Sequence, residues 1–307
     1  QVLKTDGTGV LSWTEQTGGS GTRAISNVTN SLLYSNHDIH INSNNSWNQL
    51  GGNIDGEFGF DQSGSSVSLS ADGMVVAIGA PGDDGTYNDA GYVRIYKYNS
   101  SSWIQLGSDI DGEASNDSSG VSLSLSADGM VVAIGAYGND YNRGQVRVYR
   151  YDGTDWSQIA NDIHGEAQED NSGLSVSLSA DGKIVAIGAE ENDGTAQGAG
   201  HVRVYKLDEI SDSWTQLGGD IDGEALGDES GYSVSLSADG RVVAIGAPGN
   251  DGNTGDSKDI RGHVRVYEYN ETNNSWTQLG GDIDGEASYD RSGTAVSLSA
   301  DGKIVAI

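Results

Sequence analysis

An all-β fold of repeated four-stranded antiparallel blades, a β-propeller, is predicted by three features of the 307-residue chain. The string SGYSVSLSADGRVVAIGAPG at 230–249 has close copies beginning at Ser63, Ser119 and Ser172, and a shortened one over 292–307. Tryptophan segments of the type WTQLGGDIDGE begin at Trp47, Trp103, Trp156, Trp214 and Trp276, and so lie 56, 53, 58 and 62 residues apart. Between these markers each repeat holds four short runs with strand periodicity, separated by turn residues. Four strands every ~40–60 residues describe a propeller blade; flat solenoids repeat at ~20–45 and sandwiches need roughly 100 per unit.

The first strand is SVSLS, where Val234 and Leu236 alternate with Ser233, Ser235 and Ser237. Asp239-Gly240 then supplies the signal for a tight hairpin. The second strand, RVVAIGA, is apolar at nearly every position, so it is predicted to be buried on both faces. Val243, Ile245 and Ala247 form one face and Val242, Ala244 and Gly246 the other, narrowing where something must approach closely. The third strand is HVRVYEY and the fourth is the tryptophan segment. Length differences between repeats fall almost wholly in the loop joining the second and third strands, as a fixed frame with one variable loop requires.

Two domains follow, a segment over 1–46 and the repeats over 47–307. The first has two short β-like runs around Asp6-Gly7, then a Gly/Ser/Thr linker stretch, then a strand pair expected around Leu32, Leu33, Ile39 and Ile41. The repeats supply one outer strand at 47–56, four full sets, and the first two strands of another set. Ile307 falls where other repeats continue with Gly-Ala, so the chain is expected to be truncated at its C-terminus, with the blades of the full ring uncounted.

Glycine at 46 residues against two prolines favours turns over long helices. The formal charge is −29, from 45 acidic and 16 basic residues. Such a field repels a phosphate backbone and an anionic membrane surface, which excludes nucleic acid as a partner. No apolar run reaches the ~18–20 residues that span a bilayer, so no membrane insertion is expected. Cysteine is absent, which removes disulfides and thiol chemistry.

SGYSVSLSADGRVVAIGAPG followed by GHVRVYEY resembles the FG-GAP repeat of integrin α-type propellers over 47–307. The Gly-Ala-Pro triplet stands at Gly79-Ala80-Pro81 and Gly246-Ala247-Pro248, with Gly-Ala-Tyr or Gly-Ala-Glu elsewhere. The resemblance implies an extracellular adhesion platform, with calcium in an Asp-rich hairpin before the second strand. Here that hairpin is SADG with one carboxylate, so the family's calcium ligands have no counterparts. VLKTDGTGVLSW at 2–13 resembles a β motif of tail-fibre and other structural proteins of marine phages and of some secreted bacterial proteins, which implies a virion surface as one setting.

Two acidic features recur. The connection leaving the fourth strand carries Asp109, Asp111, Glu113 and Asp117 in one copy and Asp220, Asp222, Glu224 and Asp228 in another. Turn chemistry explains them, because Asp bonds its own backbone; calcium is the competing assignment, since that ion gathers six to eight oxygens. The variable loops offer Asp83, Asp84, Asn88 and Asp89, then Asn139 and Asp140, then Asp193, and finally Asp251, Asn253, Asp256 and Asp259, as polar groups for a ligand. Arg94, Arg147, Arg203 and Arg265 share one position of the third strand, where a carboxylate of a neighbouring Asp-Gly-Glu turn is the expected partner. The tryptophans are expected to pack.

His201 and His263 share a repeat position with Tyr92 and Gln145, and no His-Asp-Ser set or separate metal cluster is legible. No catalytic residue is therefore predicted, and the chain is expected not to be an enzyme. The expectation is a non-catalytic binding module outside the cell, on a virion or cell surface, that recognises a cell-surface glycan or protein through its variable loops. A structural spacer among other proteins of one assembly is the alternative, and a secreted hydrolase the third reading.

Overall fold

The computed structural model describes residues 48–83, 87–252 and 259–307, together with the backbone of Val2–Thr5 and Leu11–Thr14. The chain divides into two compact units, Gln1–Trp47 and Asn48–Ile307. In the first, Val2–Thr5 pairs antiparallel with Leu11–Thr14. The expected linker, the strand pair near Leu32 and Ile39, and Trp47 lie outside the described residues.

The second unit contains four blades of one design. Blade 1 runs Ser66–Leu69, Val75–Ala80, Tyr92–Tyr98 and an outer strand in two pieces, Trp103–Gln105 and Ile110–Asp111, each paired with the third strand. Blades 2, 3 and 4 repeat this from Ser122–Leu125, Ser175–Leu178 and Ser233–Leu236. Ser297–Leu298 and Val305–Ala306 form a further antiparallel pair. Among the described residues all strand pairs are antiparallel, as hairpin connections dictate. The outer strand is split because its Leu-Gly turn bulges, with Gly107 at φ 67° and the Leu106 N–H still donating to the Ile95 carbonyl.

The second strand serves two interfaces, which explains its unbroken apolar run. In blade 2, all of Val131–Ala136 is buried. Val132 and Ile134 pack with Val75, Val93 and Ile95 of blade 1, while Val131 and Ala133 pack with Val185 and Ile187 of blade 3. The first strands of successive blades lie beside one another, so the second strand is next to innermost. Gly79, Gly135, Gly188 and Gly246 end these strands where a Cβ would strike the carbonyls of Gly120, Gly173, Gly231 and Gly293 of the following repeat. That approach is the reason the strand narrows.

Polar stitching joins the blades at three radii. Ser68, Ser124, Ser177 and Ser235 accept the backbone N–H groups of Leu125, Leu178, Leu236 and Leu298 in the next repeat. At the hairpin end, Ala71 N–H donates to Ala127, Ala127 to Ala180, Ala180 to Ala238 and Ala238 to Ala300. Outside, the indoles of Trp103, Trp156 and Trp276 donate to the carbonyls of Leu50, Leu106 and Leu217 in the preceding repeat. These three tryptophans are therefore clasps, whereas the buried Trp214 indole N–H has no partner. The SADG hairpins occupy one end of every blade; the variable loops and the connections between blades share the other, joined by bridges such as Gly200 with Ser230.

Candidate functional site

At the loop-bearing end, each third strand opens with a polar residue and an arginine that face the gap to the preceding blade. Arg94 makes a bidentate pair with Asp109 at 2.9 and 2.6 Å and reaches Glu57 at 2.7 Å. This guanidinium holds the Asp109 carboxyl below its ordinary value. In the other blades the arginine reaches the glutamate of the preceding repeat's Asp-Gly-Glu or, in one copy, His-Gly-Glu turn more loosely, Arg147 to Glu113 at 3.6 Å, Arg203 to Glu166 and Arg265 to Glu224 at 3.5 Å. There Nη2 donates instead to the backbone carbonyls of Asp111, His164 and Asp222. The expected carboxylate partner is present in every blade, and the bidentate one is Asp109 of the same blade.

Blades 3 and 4 add a histidine. Glu166, His201 and Asp220 bring ligand atoms within 4.8 Å of one another, as do Glu224, His263 and Asp282. His201 and His263 are 1% and 0% exposed. Burial, aided by Arg203, pushes the His201 imidazole down to about 4, and burial with Arg265 lowers His263, so both rings are neutral at pH 7. Two carboxylates and a neutral imidazole form a donor set suited to a cation.

A second cluster lies between the loops of blades 3 and 4. Glu190 stands where two other repeats have Pro81 and Pro248. Burial, then the charges of Glu229 and Glu191, push its carboxyl up to about 7. Burial also raises Glu229, although Arg291 sits 2.9 Å from it. Asn171 bonds to Glu190. Asn171, Glu229 and Arg291 occupy one repeat position, held at φ 57°, 58° and 52° by the same tight turn. Beside them is a cavity of about 360 Å³ lined by Leu226, Asp228, Glu229, Asp251, Ile260 and Arg291.

The predicted site residues divide. Asp117 Oδ2 accepts the N–H groups of Glu113 and Ala114, and Asp228 Oδ2 those of Glu224 and Ala225, which is turn chemistry. Among the described residues, neither Asp109, Asp111, Glu113 and Asp117 nor Asp220, Asp222, Glu224 and Asp228 brings its carboxylates together as one ligand group. The connection crosses the gap between blades, so Asp220 turns to His201 of its own blade and Glu224 to His263 of the next. Asp111 and Asp222 join neither cluster; burial raises both carboxyls.

Most loop candidates hold the loops together. Asp83 is buried at the position where Asn139 donates from Nδ2 to Asp117. Asp193 accepts the Gly198 N–H, Asp140 pairs with Arg143 and Asp259 with Arg261. The Asn88 and Asp89 carbonyls accept N–H groups of Asn116 and Ser118, while Asp251 lines the cavity. Asp84, Asn253 and Asp256 lie outside the described residues. Sequence reasoning passed over His201, His263 and Glu190. The available signal was their departure from a frame that repeats almost unchanged around them.

No family model and no curated protein matches the sequence. Among solved structures the chain is similar to the periplasmic gluconolactonase PpgL of Pseudomonas aeruginosa, with a TM-score of 0.51 and 19% identity over 79% of this chain and 64% of that one. It is also similar to a putative 6-phosphogluconolactonase of Bacteroides fragilis, at a TM-score of 0.47 and 16% identity over 73% of this chain and 55% of that one. The chain thus spans less than two thirds of the length of either. The protein is an all-β propeller of four-stranded antiparallel blades. Among the described residues no helix is long and apolar enough to cross a membrane. The expectation of a non-catalytic binding module that is not an enzyme is corrected by this likeness to a gluconolactonase. The sequence showed no separate metal cluster, whereas the fold assembles titratable clusters from residues of different repeats.

Proposed function

We propose that this propeller is a hydrolase of small cyclic esters, of the sugar-lactone class, acting at the Glu190–Glu229–Arg291 cluster. The observation that carries the reading is Glu190, a carboxyl pushed up to about 7 by burial and by the charge of Glu229, which together with Arg291 lines a cavity. Ester hydrolysis needs a base for the attacking water, a positive group for the developing oxyanion, and an acid for the departing alkoxide. A carboxyl titrating near neutrality can take the proton and return it, and Arg291 supplies the positive charge. Glu229 holds Arg291 in place and, by its own charge, keeps Glu190 a stronger base. A cavity of about 360 Å³ has room for a monosaccharide-sized ring and lies within the ~300–1,000 Å³ common to small-molecule sites. The likeness to a gluconolactonase supports this substrate class. The FG-GAP resemblance of the repeats and the likeness to a periplasmic protein support a place outside the cytoplasm.

The test is proton release from glucono-1,5-lactone in a pH-stat, with buffer alone as the reference. The wild-type rate is expected to exceed the spontaneous rate and to rise with pH through about 7, as Glu190 ionises. Glu190→Gln is expected to lose roughly 10²-fold or more and the pH-dependent limb with it. A panel of aldonolactones hydrolysed no faster than in buffer overturns the reading. Full activity in Glu190→Gln would move the chemistry elsewhere.

A further inference from the structure

We propose that the paired clusters Glu166–His201–Asp220 and Glu224–His263–Asp282 are binding sites for a first-row divalent metal ion, one in the gap before blade 3 and one in the gap before blade 4. Different residues carry this inference from those of the lactone site, and it stands without that reading.

The repeats provide an internal comparison. In blade 1 the same gap is bridged by a cation of the chain itself, Arg94, which reaches Glu57 at 2.7 Å and Asp109 at 2.6 Å. In blade 2 the position of the histidines is Gln145, whose Nε2 donates to Glu113 at 3.1 Å. In each of these gaps a cation or amide of the chain meets the glutamate directly, although the Tyr92 hydroxyl and Arg147 Nε are left without a partner. In blades 3 and 4, as in blade 2, the arginine is off the outer-strand aspartate, with Nη2 donating to the carbonyls of His164 and Asp222, but no glutamine takes the glutamate. The two carboxylates then flank an imidazole, and Nη1 approaches only the glutamate, at 3.5 Å.

The second observation is the imidazole. His263 is 0% exposed and neither ring nitrogen has a hydrogen-bond partner; Nε2 of His201, 1% exposed, is likewise without one. A buried polar atom left unpaired is costly, so one that recurs at the same place in two blades, with two carboxylates around it, asks for a ligand. Glu166 and Glu224 are about half exposed, which opens an entry path and leaves coordination positions to water.

The donors select the metal. Calcium prefers six to eight oxygens, whereas an imidazole with two carboxylates suits zinc, manganese or their neighbours. The nearby guanidinium opposes a dication, and the −29 charge of the chain favours one.

The measurement is metal bound per chain after equilibrium dialysis of chelator-stripped protein against zinc chloride, repeated with manganese and calcium. Wild type is expected to bind two zinc or manganese ions and to gain thermal stability with their concentration. His263→Gln, which installs the residue native to blade 2, is expected to bind one, and His201→Gln/His263→Gln none. Glu224→Gln, at a half-exposed position that tolerates change, is expected to lose the same site as His263→Gln. Stoichiometry unchanged by these substitutions, or no uptake by wild type, overturns the proposal. Calcium bound in preference to zinc and manganese at the same residues overturns the choice of metal.

Discussion

Glu190 replaces a proline of the Gly-Ala-Pro frame, and a carboxyl at that point meets a crowd of like charge. Its proton is held more tightly in the folded state than in an exposed chain, because burial and Glu229 disfavour the anion. The folded value near 7 lies above the ordinary glutamate value of 4.5. Between those pH values the folded state binds more protons than the unfolded one, so stability falls as pH rises. Glu190→Gln is therefore expected to melt higher than wild type at pH 8 and at the same temperature near pH 4. Melting curves at the two pH values check this; an equal difference at both would remove the charge as its cause. The sequence displayed Glu190 openly as Gly-Ala-Glu. It did not display Glu229 and Arg291 beside it, because these come from the two following connections.

Within a blade, the close approach of the second strand to the next repeat is the most exacting contact. Gly246 leaves no room for a methyl group against the Gly293 carbonyl, which is a backbone atom and not the end of a flexible side chain. Gly246→Ala is expected to destabilise by roughly 1–3 kcal/mol through overpacking. Gly281→Ala, where a Cβ meets nothing within 4 Å, serves as the control and is expected to change stability little. Denaturant titrations of both variants decide the matter, and equal stability of the two would mean that the blades can part without cost. Such elements were legible beforehand. Alternation marked the first and third strands, the unbroken apolar run marked the second, and Asp-Gly marked the hairpin between them. The split outer strand was not, since its bulge depends on how the Leu-Gly turn sits against the neighbouring third strand.

Across the whole molecule, the −29 charge makes the compact state repel itself. Salt screens that repulsion over a distance that shrinks from ~30 Å at 0.01 M to ~3 Å at 1 M. The melting temperature is therefore expected to rise with sodium chloride across that range; a fall would mean that attractive pairs such as Arg94 with Asp109 dominate. The sequence by itself determined the blade, its strand order and its turns, because hydrophobic period and turn chemistry act between residues close in the chain. It also pointed Arg94, Arg147, Arg203 and Arg265, which share one repeat position, to a carboxylate of the neighbouring turn, but not Arg94 to Asp109 of its own blade. Only the tertiary structure decided which carboxylates meet which histidine. Asp220 and Glu224 are four residues apart, yet the connection that holds them crosses from one blade to the next, so each faces a different imidazole. Proximity along a chain fixes the turn, and the packing of one blade on another fixes the site.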